Sequence, residues 1–190
     1  MNDAIAVLGI SGSLRKASFN TALLRAAIDL APDGIQIETA EIGDIPMYND
    51  DVRAVAFPEP VVRLRDQIAR ADALLVVTPE YNYSIPGVLK NAIDWASRPP
   101  KQPFAGKPLG MMGASGGLGG TMRAQYHLRQ MAVFLDMHAI NKPEVFVRNA
   151  QTMFDDGGKL RDDELRQLVR QYLDALADWT RRIRPSTSLR

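Results

Sequence analysis

A doubly wound α/β fold built on one parallel sheet is what this sequence predicts, from three observations. Apolar runs of strand length recur at residues 5–10, 35–42, 73–77, 108–113 and 144–147. Helical patterns fill most of the gaps between them, and strands alternating with helices imply parallel strands joined by crossovers. The runs at 5–10, 73–77 and 108–113 have little polar alternation, as strands covered on both faces require, so they are placed at the sheet centre.

In chain order, the run Ile5-Ala6-Val7-Leu8-Gly9-Ile10 leads through a polar loop into a helix over 20–30. The run at 35–42 is followed by a helical pattern over 60–70, that at 73–77 by one over 85–97, and that at 108–113 by one over 121–135. After 144–147 comes the clearest helix, 162–183, with Leu165, Leu168, Val169, Tyr172, Leu173, Leu176 and Trp179 on one stripe and Asp, Arg and Gln elsewhere. Five strands with interleaved helices favour the flavodoxin-like order 2-1-3-4-5, with helices on both faces. Ligands of such sheets sit beyond the C-terminal strand ends, at the switch between strands 1 and 3. A chain of 190 residues fills one core and not two, so a single domain is expected over 1–184, with 185–190 as a polar tail.

Composition narrows the function. Lysine and arginine number 23 against 22 acidic residues, a net charge of +1, so no global field favours nucleic acid or an anionic membrane. Small-molecule partners are expected instead. Cysteine is absent, which removes disulfides, thiolate catalysis and sulfur-ligated metals, and His127 and His138 are the only imidazoles. No metal site is expected, and neither histidine is assigned a role. No run approaches the ~20 apolar residues of a membrane span and no basic-then-apolar leader is visible, so a cytoplasmic protein is expected.

Three loops should meet at the switch point. The first, Ser11-Gly12-Ser13-Leu14-Arg15-Lys16-Ala17-Ser18-Phe19-Asn20, joins an apolar strand to a helix N-terminus, where unpaired N–H groups and the dipole favour an anion. Its spacing fits neither the P-loop nor the dinucleotide fingerprint. Arg15 offers a planar fork for two phosphate oxygens, while Ser13, Ser18, Asn20 and Thr21 can donate single hydrogen bonds, an inventory suited to a phosphomonoester. A polar turn with Asn20 as helix N-cap accounts for the same residues. The second loop, 78–87, holds two tyrosines in a proline-stiffened backbone and suits a flat heterocycle, or reads as a surface turn with aromatic packing. The third, 113–120, is glycine-rich and lets main-chain N–H groups approach a ligand edge, or serves as a tight connection. Jointly they describe a ligand with an anionic tail and a planar, hydrogen-bonding head, and FMN fits best.

The stretches GSLRKASFN, LVVTPEYNYSIPGVLKNAIDW and the 113–120 loop carry a resemblance to the NADPH-dependent FMN reductase family, and within it to the quinone and chromate reductase branch. The likeness covers nearly the whole domain. It implies FMN phosphate contacts at Ser13, Arg15, Ser18, Asn20 and Thr21, and ring contacts at Pro79, Glu80, Tyr81, Asn82 and Tyr83 through backbone groups and aromatic edges. Ser115, Gly116 and Gly117 would serve the pyrimidine end. The implied reaction takes hydride from NADPH or NADH onto FMN and passes electrons to quinones, azo compounds, nitroaromatics, chromate or free flavin by a ping-pong mechanism, with no side-chain catalyst. The resemblance further implies a homodimer or homotetramer, with the 44–51 loop near a neighbouring subunit's flavin and Arg123, Tyr126 and Glu144 at tetramer contacts, positions that also read as solvated surface.

Glu80 and Lys90 are the charges closest to the expected ring site, and either could tune the flavin or pair at a subunit contact. Met111, Met112 and Trp95 read as packing residues. Arg181, Arg182 and Arg184 complement the dipole at the end of the last helix. A flavodoxin-type electron carrier is the rival reading; such carriers are strongly acidic, whereas this chain is near neutral.

Overall fold

The structure is a computed structural model that describes residues 4–183; the expected tail at 185–190 lies outside the described residues, as does Arg184. Strands β1 (Ile5–Ser11), β2 (Ile35–Ala40), β3 (Ala73–Val77) and β4 (Pro108–Ala114) are all parallel, with β1 between β2 and β3 and β4 beyond β3. All residues of β3 and β4 are buried, because helices cover both faces. Alternate residues feed two cores: Ala73, Leu75 and Val77 join the first, Leu74 and Val76 the second. Helices α1 (Phe19–Asp29) and α7 (Asp163–Ile183) close the first core. Helices α3 (Glu59–Arg70), α4 (Gly87–Ala96) and α5 (Met122–Phe134) close the second. Met111, Met112 and Trp95 are buried packing residues, as expected.

Two short helices carry no apolar pattern that a sequence could show. Helix α2 (Asp50–Val55) buries none of its residues, and α6 (Ala150–Met153) is a single turn.

The fifth strand position differs from the expected single strand at 144–147. Two pieces share it: β5 (His138–Ala139) pairs with Pro108 and Leu109, and β6 (Val145–Val147) pairs with Met112, Gly113 and Ala114. The intervening segment, which contains Pro143 with no N–H to give, leaves Met111 opposite a gap. Helix α7 fills it. The Met111 N–H donates to the Tyr172 hydroxyl at 2.5 Å, and Trp179 Nε1 donates to the His138 carbonyl at 2.8 Å.

Tyr172→Phe is therefore expected to leave a buried N–H without a partner and to cost ~1–3 kcal/mol, read as a lower urea midpoint at unchanged m-value. The substitution should also flatten the alkaline limb. Burial pushes the Tyr172 phenol well above the usual tyrosine range, so only the unfolded chain ionises it above about pH 10. Its contribution is complete below that pH and falls away above it in the native sequence alone.

Candidate flavin site

The C-terminal ends of β1, β3 and β4 converge on Thr78, which is fully buried. Gly12 N–H donates to the Val77 carbonyl at 2.8 Å, and Thr78 N–H donates to the Met112 carbonyl at 3.0 Å. A Cβ on Gly12 would lie 2.8 Å from Thr78 Oγ1, and one on Gly113 would lie 2.4 Å from the Thr78 carbonyl oxygen and 2.0 Å from Thr121 Oγ1. The first and third loops are also joined, since Asn20 Nδ2 donates to the Ala114 carbonyl at 2.9 Å and Asn20 Oδ1 accepts the Ala114 N–H at 2.8 Å. The three loops thus form one connected edge. Gly12 and Thr78 had no place among the expected site residues; their signal was a glycine and a small polar residue directly after two central strands.

In the first loop, Ser18 and not Asn20 is the N-cap of α1. Its Oγ accepts the N–H groups of Asn20 at 3.2 Å and Thr21 at 3.4 Å. The Asn20 carboxamide is directed to β4, 3% exposed, so its side chain braces the loop from below. Ser13 Oγ accepts the Arg15 N–H at 3.4 Å, and Thr21 Oγ1 lies 2.9 Å from Ser11 Oγ. The N–H groups of Leu14, Lys16 and Ala17 have no partner among the described residues. Ser13, Arg15 and Thr21 line a cleft of about 380 Å³ that opens toward the end of β2, where Lys16 and Arg25 outnumber the one carboxylate, Glu41. None of these three cations has an ion-pair partner among the described residues, and the Arg15 guanidinium donates only to the Ala17 carbonyl at 3.2 Å. Free cations and free N–H groups at a helix start favour a phosphate.

In the second loop, Tyr81 and Ser84 exchange two backbone hydrogen bonds of 2.9 Å around Asn82 and Tyr83. Both central residues are left-handed, with φ of 50° and 64°. That is the geometry of a primed hairpin turn, where a tyrosine costs roughly 1–2 kcal/mol over glycine. Tyr81 and Tyr83 turn their rings outward. The Glu80 side chain turns inward to Arg123 of the same chain, while Lys90 bonds Asp94 at 2.7 Å, so the two candidate charges do not meet. His127 Nδ1 lies 3.0 Å from Ser84 Oγ.

In the third loop, Ser115 N–H donates to the Val147 carbonyl at 3.0 Å, and Ser115 Oγ accepts the Gly117 N–H at 3.1 Å. A Cβ on Gly116 would meet only Gln151 Oε1 at 3.3 Å, and one on Gly117 only Ser115 Oγ at 3.6 Å. Packing forbids a side chain at Gly113 but not at Gly116 or Gly117, where glycine instead leaves a cradle open. The 44–51 loop is strapped to α4, its Pro46 carbonyl accepting from Asn91 Nδ2 at 2.9 Å and Trp95 Nε1 at 2.8 Å.

A doubly wound parallel sheet with these three loops joined at its switch point defines a flavodoxin-like protein. The chain belongs to the NADPH-dependent FMN reductase family, whose sequence model matches residues 5–152, and it is an oxidoreductase of that family. It is 61% identical over 184 residues to an NAD(P)H-dependent FMN reductase of Pseudomonas aeruginosa, covering 97% of this chain and 100% of that one. It is 44% identical over 182 residues to a quinone reductase of Pseudomonas putida, covering 95% and 97%. Among solved structures it superposes with a TM-score of 0.86 on FerB, an NAD(P)H:(acceptor) oxidoreductase of Paracoccus denitrificans, at 37% identity over 94% of this chain and 98% of that one. FMN and NAD(P)H are the cofactors of this family.

Proposed function

We propose that the protein is an FMN-dependent NAD(P)H:quinone reductase whose single crevice serves donor and acceptor in turn. The convergence of the three loops on Thr78, beside the open cradle at Gly116 and Gly117, carries this reading. Arg15, with Ser13, Ser18, Thr21 and the free backbone N–H groups of Leu14, Lys16 and Ala17, holds the FMN phosphate, and the Asn20 side chain braces the loop beneath it. Pro79, Glu80, Tyr81, Asn82 and Tyr83 flank the ring through backbone groups and tyrosine edges, while at its pyrimidine edge Gly116 presents an N–H that is free among the described residues, Ser115 its hydroxyl and Gly117 the space of its missing side chain. When bound, FMN accepts hydride from the nicotinamide and passes electrons on to the acceptor. Alternate occupation of one crevice gives ping-pong kinetics and a broad acceptor range, with quinones first and azo compounds, nitroaromatics, free flavin and chromate beyond them. The nicotinamide pool it draws on supports a cytoplasmic place of action. Among the described residues no helix is long and apolar enough to cross a membrane.

Protein saturated with FMN should oxidise NADH or NADPH when a quinone is supplied, with parallel double-reciprocal lines. A yellow protein that consumes neither nicotinamide with any quinone would be an electron carrier instead.

The chain also works as a homodimer on this reading. On α5, Val133 and Phe134 are 83% and 82% exposed beside a groove of about 660 Å³ that runs between α4 and α5 and reaches Ser84 at the edge of the aromatic turn. Large apolar side chains left this open mark an association surface. Tyr126 and Glu144, 3.5 Å apart, offer with Arg123 a polar surface for pairing dimers into a homotetramer. Phe134→Glu is expected to shift the mass in sedimentation to the monomer and to make the melting temperature independent of protein concentration; an unshifted mass rejects this surface.

A further inference from the structure

We propose that Glu80 and Arg123 are positioning residues for the ring site: the Glu80 carboxylate ties the 79–83 loop to the first turn of α5 and so fixes the spacing of the two loops that flank the isoalloxazine. The inference deepens the function proposed above and rests on it. Glu80 Oε1 accepts from Arg123 Nε at 2.6 Å and Nη2 at 2.5 Å, and Oε2 accepts the backbone N–H groups of Arg123 at 2.9 Å and Ala124 at 3.1 Å. One carboxylate thus meets a fork of two side-chain donors and two helix-start donors. Its side chain is 6% exposed, in a setting where such charge-assisted bonds are strong.

Helix α5 depends on this contact. Its N-cap, Thr121, makes no capping hydrogen bond with its side chain, whose Oγ1 instead accepts from Gln125 Nε2 at 3.0 Å. The anion that satisfies the first turn and faces the positive end of the dipole therefore arrives from another loop. Helix α5 begins directly after the glycine loop, so holding its first turn also anchors residues 116–120. Arg123 closes the arrangement from the other side, with its guanidinium carbon 3.7 Å from the centre of the Tyr83 ring. Tyr83 sits at φ 64°, a conformation that persists when neighbouring contacts over-determine it. Because the Glu80 carboxylate faces the helix, it acts on the ring through the loops it joins.

The test uses the full chain with E80Q, R123A and R123K. In apoprotein, hydrogen exchange at the amides of residues 81–84 and 123–124 should rise on the order of tenfold in E80Q and R123A, with exchange in β3 and β4 unchanged. With FMN, the Kd from flavin fluorescence quenching should rise about tenfold and the visible circular dichroism of bound flavin should change, R123K falling between R123A and the native chain. Arg123 is partly exposed and also lies on the surface proposed for pairing dimers, so R123A, compared with the native chain at equal sedimentation mass, reads the contact if E80Q fails to fold. Native protein that binds FMN, with variants matching it in exchange, Kd and dichroism, overturns this inference alone. Native protein that takes up no FMN overturns the cofactor reading, and this inference with it.

Discussion

Gly113→Ala is expected to destabilise the protein by about 3–5 kcal/mol, a large share of the ~5–15 kcal/mol that holds a domain of this size together. The added methyl would sit 2.0 Å from Thr121 Oγ1 and 2.4 Å from the Thr78 carbonyl oxygen, distances that real Cβ atoms do not reach. Neither neighbour can step aside. Thr121 is fully buried with its hydroxyl bonded to Gln125, and Thr78 is main chain at the end of a central strand, its N–H donated to Met112. Pairing Gly113→Ala with Thr121→Ala removes the hydroxyl contact but leaves those with the Thr121 Cβ at 2.8 Å and the Thr78 carbonyl oxygen, so denaturation should show partial recovery. Full recovery would show that Thr78 can move. Because Gly113 sits where the aromatic turn and α5 press on β4, the variant that does fold should also bind FMN poorly.

The second large effect falls on the anion loop. Arg15→Ala is expected to weaken FMN binding between about tenfold and a hundredfold, the ~1.5–3 kcal/mol of a charge-assisted contact. Arg15 makes no ion pair among the described residues, and its one side-chain hydrogen bond goes to the Ala17 carbonyl, so its removal should leave the melting temperature of apoprotein nearly unchanged. Lys16 and Arg25 line the same cleft, which bounds the loss: two cations remain. Affinity for riboflavin, which lacks the phosphate, should not change. Equal losses for FMN and riboflavin would move Arg15 away from the phosphate.

The central strands were legible because burial on both faces writes an uninterrupted apolar run, and α7 because a helix with one buried face writes a stripe. The split fifth strand was not. Its two-residue β5 is too short to show a period, and the hydrogen bond that the gap would lose is supplied by Tyr172, 61 residues away from Met111. At the site, the residue types were readable as chemistry while the direction of each side chain was not. Asn20 has the chemistry of a phosphate donor, yet its carboxamide is taken by Ala114, 94 residues on. Glu80 has the look of a charge beside the ring, yet its carboxylate is taken by α5, 43 residues on. A polar side chain in a loop goes to the strongest partner the fold brings within reach, and for both residues that partner is set by strand order and not by near neighbours.

The tyrosine that closes the slot opposite Met111 belongs to α7, which leaves the ribosome after all the described strands. While the nascent chain waits for it, β4 shows water an amide and a strip of raw edge that another polypeptide could pair with. Clipping the protein ahead of residue 172 would make that state permanent, turning a finished sheet into a template for aggregation.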